Sequence, residues 1–193
     1  MVPFIKLGSS FGGCFMKDEE LLSKSKQGDE DAFFQLMKMH ISTVEKFAFQ
    51  LGVHPNDIQD ITQETFLKVY RFLSNHTHGK FTTWLYQITL NVVRDLYRKK
   101  KRFDRKTKAY MAEAEVAQAR DFADNSNLPE VHEAIQQLAE KYKLPVILHY
   151  FHDLSYQEIS EVLGVTEGAV KTRMLRGRKM LKERLERVGG NDE

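Results

Sequence analysis

Ser155 to Arg187, SYQEISEVLGVTEGAVKTRMLRGRKMLKERLER, restricts the folds open to this chain more than any other stretch. Ser155 and Glu158 stand at capping-box spacing, where the hydroxyl and the carboxylate each satisfy an orphan backbone N–H. Ile159, Val162 and Leu163 follow at helical spacing and make one apolar face. Gly164 suits the left-handed residue that ends such a helix. Val165 plugs the gap, and Thr166 can N-cap a second helix. That helix turns Val170, Met174, Leu181 and Leu185 inward and leaves Lys171, Arg173, Arg176, Arg178 and Lys179 outward. The stretch predicts a helix-turn-helix with a cationic second helix. Laid in a major groove, such a helix reaches base edges and phosphates. The alternative is an amphipathic hairpin with a solvated basic face, which leaves the agreement of caps, turn glycine and cations unexplained.

Charge is segregated along the chain. The net charge is only +2 over 193 residues, yet Arg94 to Lys108 carries +7 and Gly164 to Arg187 carries +5, leaving −10 for the remainder. Two basic stripes on an otherwise acidic chain point to two polyanion contacts. The acidic remainder is either a docking face or solvated helix surface. Hydrophobic residues make up 41%, enough for packed cores, and no apolar run is long enough to span a bilayer. Cys14 is the single cysteine, which excludes an internal disulfide and fits a reducing cytoplasm.

Outside the helix-turn-helix no segment alternates with period two, and Pro and Gly are scarce, so the fold class is all-α. Residues 1–15 have no helical period and are too weakly hydrophobic for a signal peptide. They are expected to be a non-native or disordered extension, with translation starting at Met16. A short helix is expected from Asp18 to Lys26. Gly28 breaks it, and Asp29 caps a longer helix to about Leu51. After Gly52 and Pro55, Asn56 or Asp57 starts a helix to about Leu73, with Ile58, Ile61, Thr65, Val69 and Phe72 inward. A polar loop, Ser74 to Lys80, precedes a helix from Phe81 to about Arg102, with Phe81, Leu85, Ile88, Val92 and Leu96 inward. Residues 104–127 have little apolar mass and read as a linker. Order restarts at Pro129, a good first-turn residue, with a stripe of Val131, Ile135, Leu138 and Ala139, and the next helix begins at Leu144. The layout is two small helical domains, 16–103 and 128–187, joined by a flexible tether, with a tail at 188–193.

Three segments in this order match a family. Asp57 to Leu73 (DIQDITQETFLKVYRFL), Phe81 to Arg102 (FTTWLYQITLNVVRDLYRKKKR) and Leu128 to Leu181 together resemble a bacterial RNA polymerase sigma factor of the sigma-70 family. The compact arrangement is similar to the extracytoplasmic-function (ECF) group. Two positions depart from the family pattern: Ser160 stands where an alanine is frequent, and Thr89-Leu90 precede Asn91 where Ala-Arg is usual, removing one cation.

The resemblance implies a dissociable specificity subunit in the cytoplasm, without catalytic residues, metal, cofactor or small-molecule substrate. Its partners are the clamp of the polymerase's largest subunit, promoter DNA, and an anti-sigma factor that can be membrane-anchored. The polymerase contacts implied are Asp57, Asp60, Gln63 and Glu64, of which Asp60, Gln63 and Glu64 share one helical strip. The minus-10 strand falls to the loop residues Asn75, His76, Thr77 and His78, where a flipped base is captured, and to Lys80, Trp84, Gln87, Asn91, Arg94 and Arg98. Tyr86 is expected on the same exposed flank. Trp84 reads first as a core residue, with a wedge at the melted edge as the alternative. The minus-35 duplex falls to Gly168, Lys171, Thr172, Arg173 and Arg176 in the groove, with Arg178 and Lys179 on phosphates. His149 and His152 read as partly exposed flank residues of a packing helix. A stand-alone helix-turn-helix regulator remains the alternative function, and it leaves the Phe81 segment without a task.

Overall fold

A computed structural model describes residues 15–77, 79–107 and 129–189, and the described residues contain helices and no strand. The elements are α1 (Phe15–Lys26), α2 (Glu30–Gln50), α3 (Pro55–Phe72), α4 (Phe81–Thr107), α5 (Pro129–Gln136), α6 (Glu140–Tyr150), α7 (Tyr156–Leu163) and α8 (Glu167–Gly189). A single 3-10 turn, Leu73–Asn75, follows α3. The expected extension, and the linker apart from its first residues, lie outside the described residues.

The first four helices form one bundle. Asp29 caps α2 by accepting from the Ala32 N–H at 2.9 Å. Leu36, His40, Val44, Phe47 and Ala48 then recur at three-and-four spacing and are buried. His40 Nε2 meets Asp18 Oδ2 at 3.1 Å, both side chains buried, and ties α1 to α2. His54, rather than Asn56 or Asp57, caps α3: its Nδ1 accepts from the Asn56 N–H, and Pro55 supplies the preset φ of the first turn. The helix α4 runs on past Arg102 to Thr107 because the charged residues there include no breaker.

The last four helices form the second bundle, with α5, α6 and α7 all resting on α8. The helix α6 begins at Glu140, ahead of the expected Leu144, and contains Pro145. Pro145 sits in its second turn, so the missing N–H forfeits one intrahelical bond while the ring is buried in the bundle. Ala139 is exposed at the α6 N-cap, and Ala134 joins Ile135 and Leu138 inside instead. The Ser155–Glu158 capping box is reciprocal, Gly164 ends α7 at φ 63°, and the Ala169 N–H donates to Thr166 Oγ1 at 3.2 Å. The helix-turn-helix therefore forms from its local signals.

The two bundles touch. The helix α7 packs on α4, and α4 carries a second buried strip, Tyr86, Leu90 and Val93, beside the expected one.

Candidate nucleic-acid and polymerase-binding surfaces

The helix α8 separates cleanly into two faces. Val170, Met174 and Leu181 are buried, and Gly177 lies among them against α6. Gly168, Thr172, Leu175 and Lys179 recur along the opposite side and are exposed. Lys171 and Arg178 flank this strip on one side and Arg176 on the other, all exposed, while Arg173 is half-buried on the flank nearer the bundle. Lys171 pairs with Glu167 at 2.8 Å, and that hydrogen bond raises its pKa. The Arg176 guanidinium beside the Tyr142 phenol lowers the Tyr142 pKa. Leu175, 71% exposed in mid-strip, was missed at the sequence level. An apolar residue between cations looks like a packing residue until the bundle leaves it outside.

On α4, Trp84, Gln87, Asn91, Arg94 and Arg98 follow one another at three-and-four spacing along one flank. Gln87, Asn91 and Arg98 are exposed, Arg94 is half-buried, and Trp84 is partly buried against His76 and Phe81. Tyr86 does not share this flank. It lies about a quarter-turn away, and is wedged between Phe47 and His152, with ring centroids 5.1 and 4.8 Å away. Burial pushes its phenol well above the usual range.

In the loop, Asn75 and Thr77 are exposed and His78 lies outside the described residues. His76 departs from the expected presentation. It is 6% exposed, edge-on to the Trp84 ring at 4.8 Å, because the 3-10 turn tucks it inward, and its carbonyl accepts from Lys26 Nζ. Lys80, just ahead of α4, pairs with Glu158 of α7 at 2.6 Å.

The strip on α3 is Asp60, Gln63, Glu64 and Leu67, all exposed. Leu67, 55% exposed, lies at i+3 from Glu64 and was also missed. Asp57 stands at the edge, its carboxylate 2.6 Å from Lys100 of α4, so it is tied to the bundle rather than presented freely.

His152 is no flank residue of α6. It follows α6 and faces the first bundle, with Nδ1 2.9 Å from the Tyr86 hydroxyl and Nε2 2.7 Å from Gln50 Oε1. Burial, with the positive charge of Lys46 second, pushes its pKa down to about 3. His149 Nδ1 meets the Leu154 carbonyl at 2.9 Å, which fixes the turn after α6. No group of three or more His, Cys, Asp or Glu gathers to hold a metal among the described residues. No described helix is long and apolar enough to cross a membrane.

Comparison with known proteins gives these surfaces a context. Residues 36–103 match the family description "Sigma-70 region 2", and residues 128–181 match "Sigma-70, region 4". The chain is 30% identical over 188 residues to the ECF RNA polymerase sigma factor SigW of Bacillus subtilis (strain 168), covering 88% of this chain and 97% of that one. Among solved structures it shares its fold with CnrH bound to the cytosolic domain of CnrY, at TM-score 0.68 and 24% identity over 88% of this chain and 97% of that one. It also shares its fold with RpoE of Bartonella quintana bound to the anti-sigma factor NepR, at TM-score 0.66 and 22% identity over 80% of this chain and 96% of that one. With both regions matched in order and a relative at this identity along nearly its whole length, the chain belongs to the ECF group of the sigma-70 family and is an RNA polymerase sigma factor, acting in transcription initiation.

Proposed function

We propose a division of labour between the two bundles, acting in the cytoplasm without any catalytic step. Residues 16–103 bind the core polymerase clamp through Asp60, Gln63 and Glu64, with Asp57 at the margin and Leu67 as an apolar anchor. The same bundle holds the parted minus-10 strand with Asn75, Thr77, His78 and Lys80 and with the Trp84, Gln87, Asn91, Arg94 and Arg98 flank of α4. His76 supports that loop from beneath. Residues 128–187 read the minus-35 duplex with α8, while 104–127 serve as the tether.

The observation that carries this reading is the exposed strip of α8 behind a fully capped turn: Thr172 and Leu175 at its centre, cations on both flanks. A hydroxyl and a branched alkyl group suit base edges, the latter a thymine methyl. Lys179 and Arg178 suit phosphates. An anti-sigma factor that masks these surfaces is the expected regulator, in keeping with the fold shared with the NepR-bound RpoE.

Run-off transcription with purified core polymerase on a promoter library tests the proposal. Arg176→Ala should weaken minus-35-dependent transcription by about 1–3 kcal/mol and leave binding to core polymerase unchanged. Lys179→Ala should weaken duplex binding across sequences and reduce the salt slope by about one. Equal transcription from intact and scrambled minus-35 sites by the unaltered protein would end the reading of α8. A stand-alone regulator would bind duplex DNA and fail to bind core polymerase.

A further inference from the structure

Two of the cations assigned above to the minus-10 strand are occupied by carboxylates of the other bundle. Arg94 directs both Nε and Nη2 to Glu140 Oε1, at 2.9 and 2.8 Å. Lys80 lies 2.6 Å from Glu158 Oε1, while the other oxygen of that carboxylate closes the Ser155 capping box. Burial works against the Glu158 carboxylate, and the Lys80 ammonium with the Ser155 hydroxyl and N–H more than offsets it, so its pKa is lowered. These two pairs flank the bundle contact along about 20 Å of α4, from the residue before it to its fourth turn. Between and beside them lie neutral links: Tyr86–His152–Gln50, the Gln136 amide on the Gln50 carbonyl at 2.7 Å, and Phe49 stacked on His132 at 5.0 Å. The outward strip of α8 is on no part of this contact and stays exposed.

We propose that the free chain closes on itself, with Glu140 and Glu158 standing where phosphates of the minus-10 strand would stand, so that strand binding requires the bundles to part while duplex reading does not. The inference rests on the reading of Lys80 and Arg94 as strand contacts. An anionic group on a guanidinium or ammonium excludes a second one from the same donors, so strand and carboxylates compete directly. The two ion pairs are partly exposed, so each contributes only a little to the closure and can be given up to a competing anion. Glu158 is suited to both roles: its other oxygen closes the Ser155 capping box, so the cap of α7 does not depend on Lys80.

The test uses the full chain with Cys14→Ser, labelled through Gln35→Cys and Lys182→Cys, both on exposed positions of the separate bundles. Single-molecule energy transfer reports closure, and an oligothymidylate of about twenty nucleotides reports strand binding, since stacking and phosphate contacts to it need no promoter sequence. Glu140→Gln with Glu158→Gln keeps helix caps possible, because glutamine also serves at that capping-box position. Energy transfer should fall and oligothymidylate should bind about fivefold more tightly, the size two partly exposed ion pairs allow. Glu133→Gln with Glu161→Gln removes equal charge from exposed sites outside these pairs and should change neither. Unchanged energy transfer in the first double variant overturns the closure. Opening with no gain in oligothymidylate affinity over the control overturns the competition. If Arg94→Ala in the opened variant leaves that affinity unchanged, the strand-contact reading fails and the phosphate mimicry with it, while energy transfer still reports the closure separately.

Discussion

Gly177→Leu is expected to abolish minus-35-dependent transcription while leaving attachment to core polymerase intact. Gly177 lies on the buried side of α8, where the missing Cβ would come within 3.1 Å of Val146 Cγ2 and 3.4 Å of the Tyr142 carbonyl. Two helices cross here at backbone distance. Leucine adds three further carbons beyond that Cβ, into a space bounded by the Tyr142 main chain on one side and fully buried Val146 on the other. Overpacking of this kind costs about 1–3 kcal/mol and sometimes more, a large share of the stability of a bundle this small. Gly177→Ala separates sterics from propensity. It gains about 1 kcal/mol of helix propensity and asks Val146 to give a few tenths of an ångström, so it should melt close to the unaltered protein. Circular-dichroism melting, with transcription from promoters having and lacking a minus-35 site, checks both variants. A leucine variant that melts like the parent would remove the crossing from the account.

Acidification from pH 7 towards pH 4 should destabilise the closed chain through His152. Its ring is held neutral, Nε2–H donating to Gln50 Oε1 and Nδ1 accepting from the Tyr86 hydroxyl. The charged or titratable groups facing it are Lys46 from α2, Tyr86 from α4 and neighbouring Asp153, and burial and Lys46 together hold its pKa near 3. Unfolded or solvated, a histidine takes up its proton near pH 6.5. The folded pKa is depressed, so the stabilisation is fully present above about pH 6.5 and is lost as pH falls towards 3. The slope is up to about 1.4 kcal/mol per pH unit. His132, whose pKa burial and Lys143 also lower, adds in the same direction. The depressed Glu158 carboxyl acts only in the carboxylate range, so denaturant titrations at pH 7, 6 and 5 isolate the histidines. His152→Gln should flatten most of the slope, whereas His132→Gln should leave most of it. A stability that does not change between pH 7 and 5 would show His152 to be solvated.

The legible parts of this protein were those that local chemistry decides. Asp29, Ser155 with Glu158, Gly164 and Thr166 each act on backbone groups within a few residues, and each caps or ends its helix as the spacing implied. The buried faces of α3 and α8 followed from three-and-four periodicity, except that Phe72, at the last position of α3, is 43% exposed. The α8 cations could be assigned outward because Val170, Met174 and Leu181 had already claimed the inner side. The α6 start was misplaced because proline usually marks a helix beginning, and only the packing of Pro145 inside the bundle explains its tolerance. Tyr86 and His152 read as surface residues because a polar tip on a periodic helix reads as exposed, and His76 because it stands in a polar loop. Tyr86 and His152 are instead covered by partners far away in sequence, Phe47 and His152 for Tyr86 and Gln50 for His152, while His76 is covered by Trp84 eight residues on. Leu67 and Leu175 were assigned to no surface, since an apolar side chain carries no sign that its site faces water.

Taken alone, the order of residues determined an all-helical chain, its helix-turn-helix, the basic outer side of α8 and the family it belongs to. These depend on hydrogen bonds and periodicities that close within a turn or two of helix. Only the tertiary structure decided that Glu140 and Glu158 lie on Arg94 and Lys80, that His152 is kept neutral between the bundles, and that Gly177 lets α6 and α8 cross closely. Each of those depends on groups separated by tens of residues, and no local spacing encodes which distant side chain will take up the space.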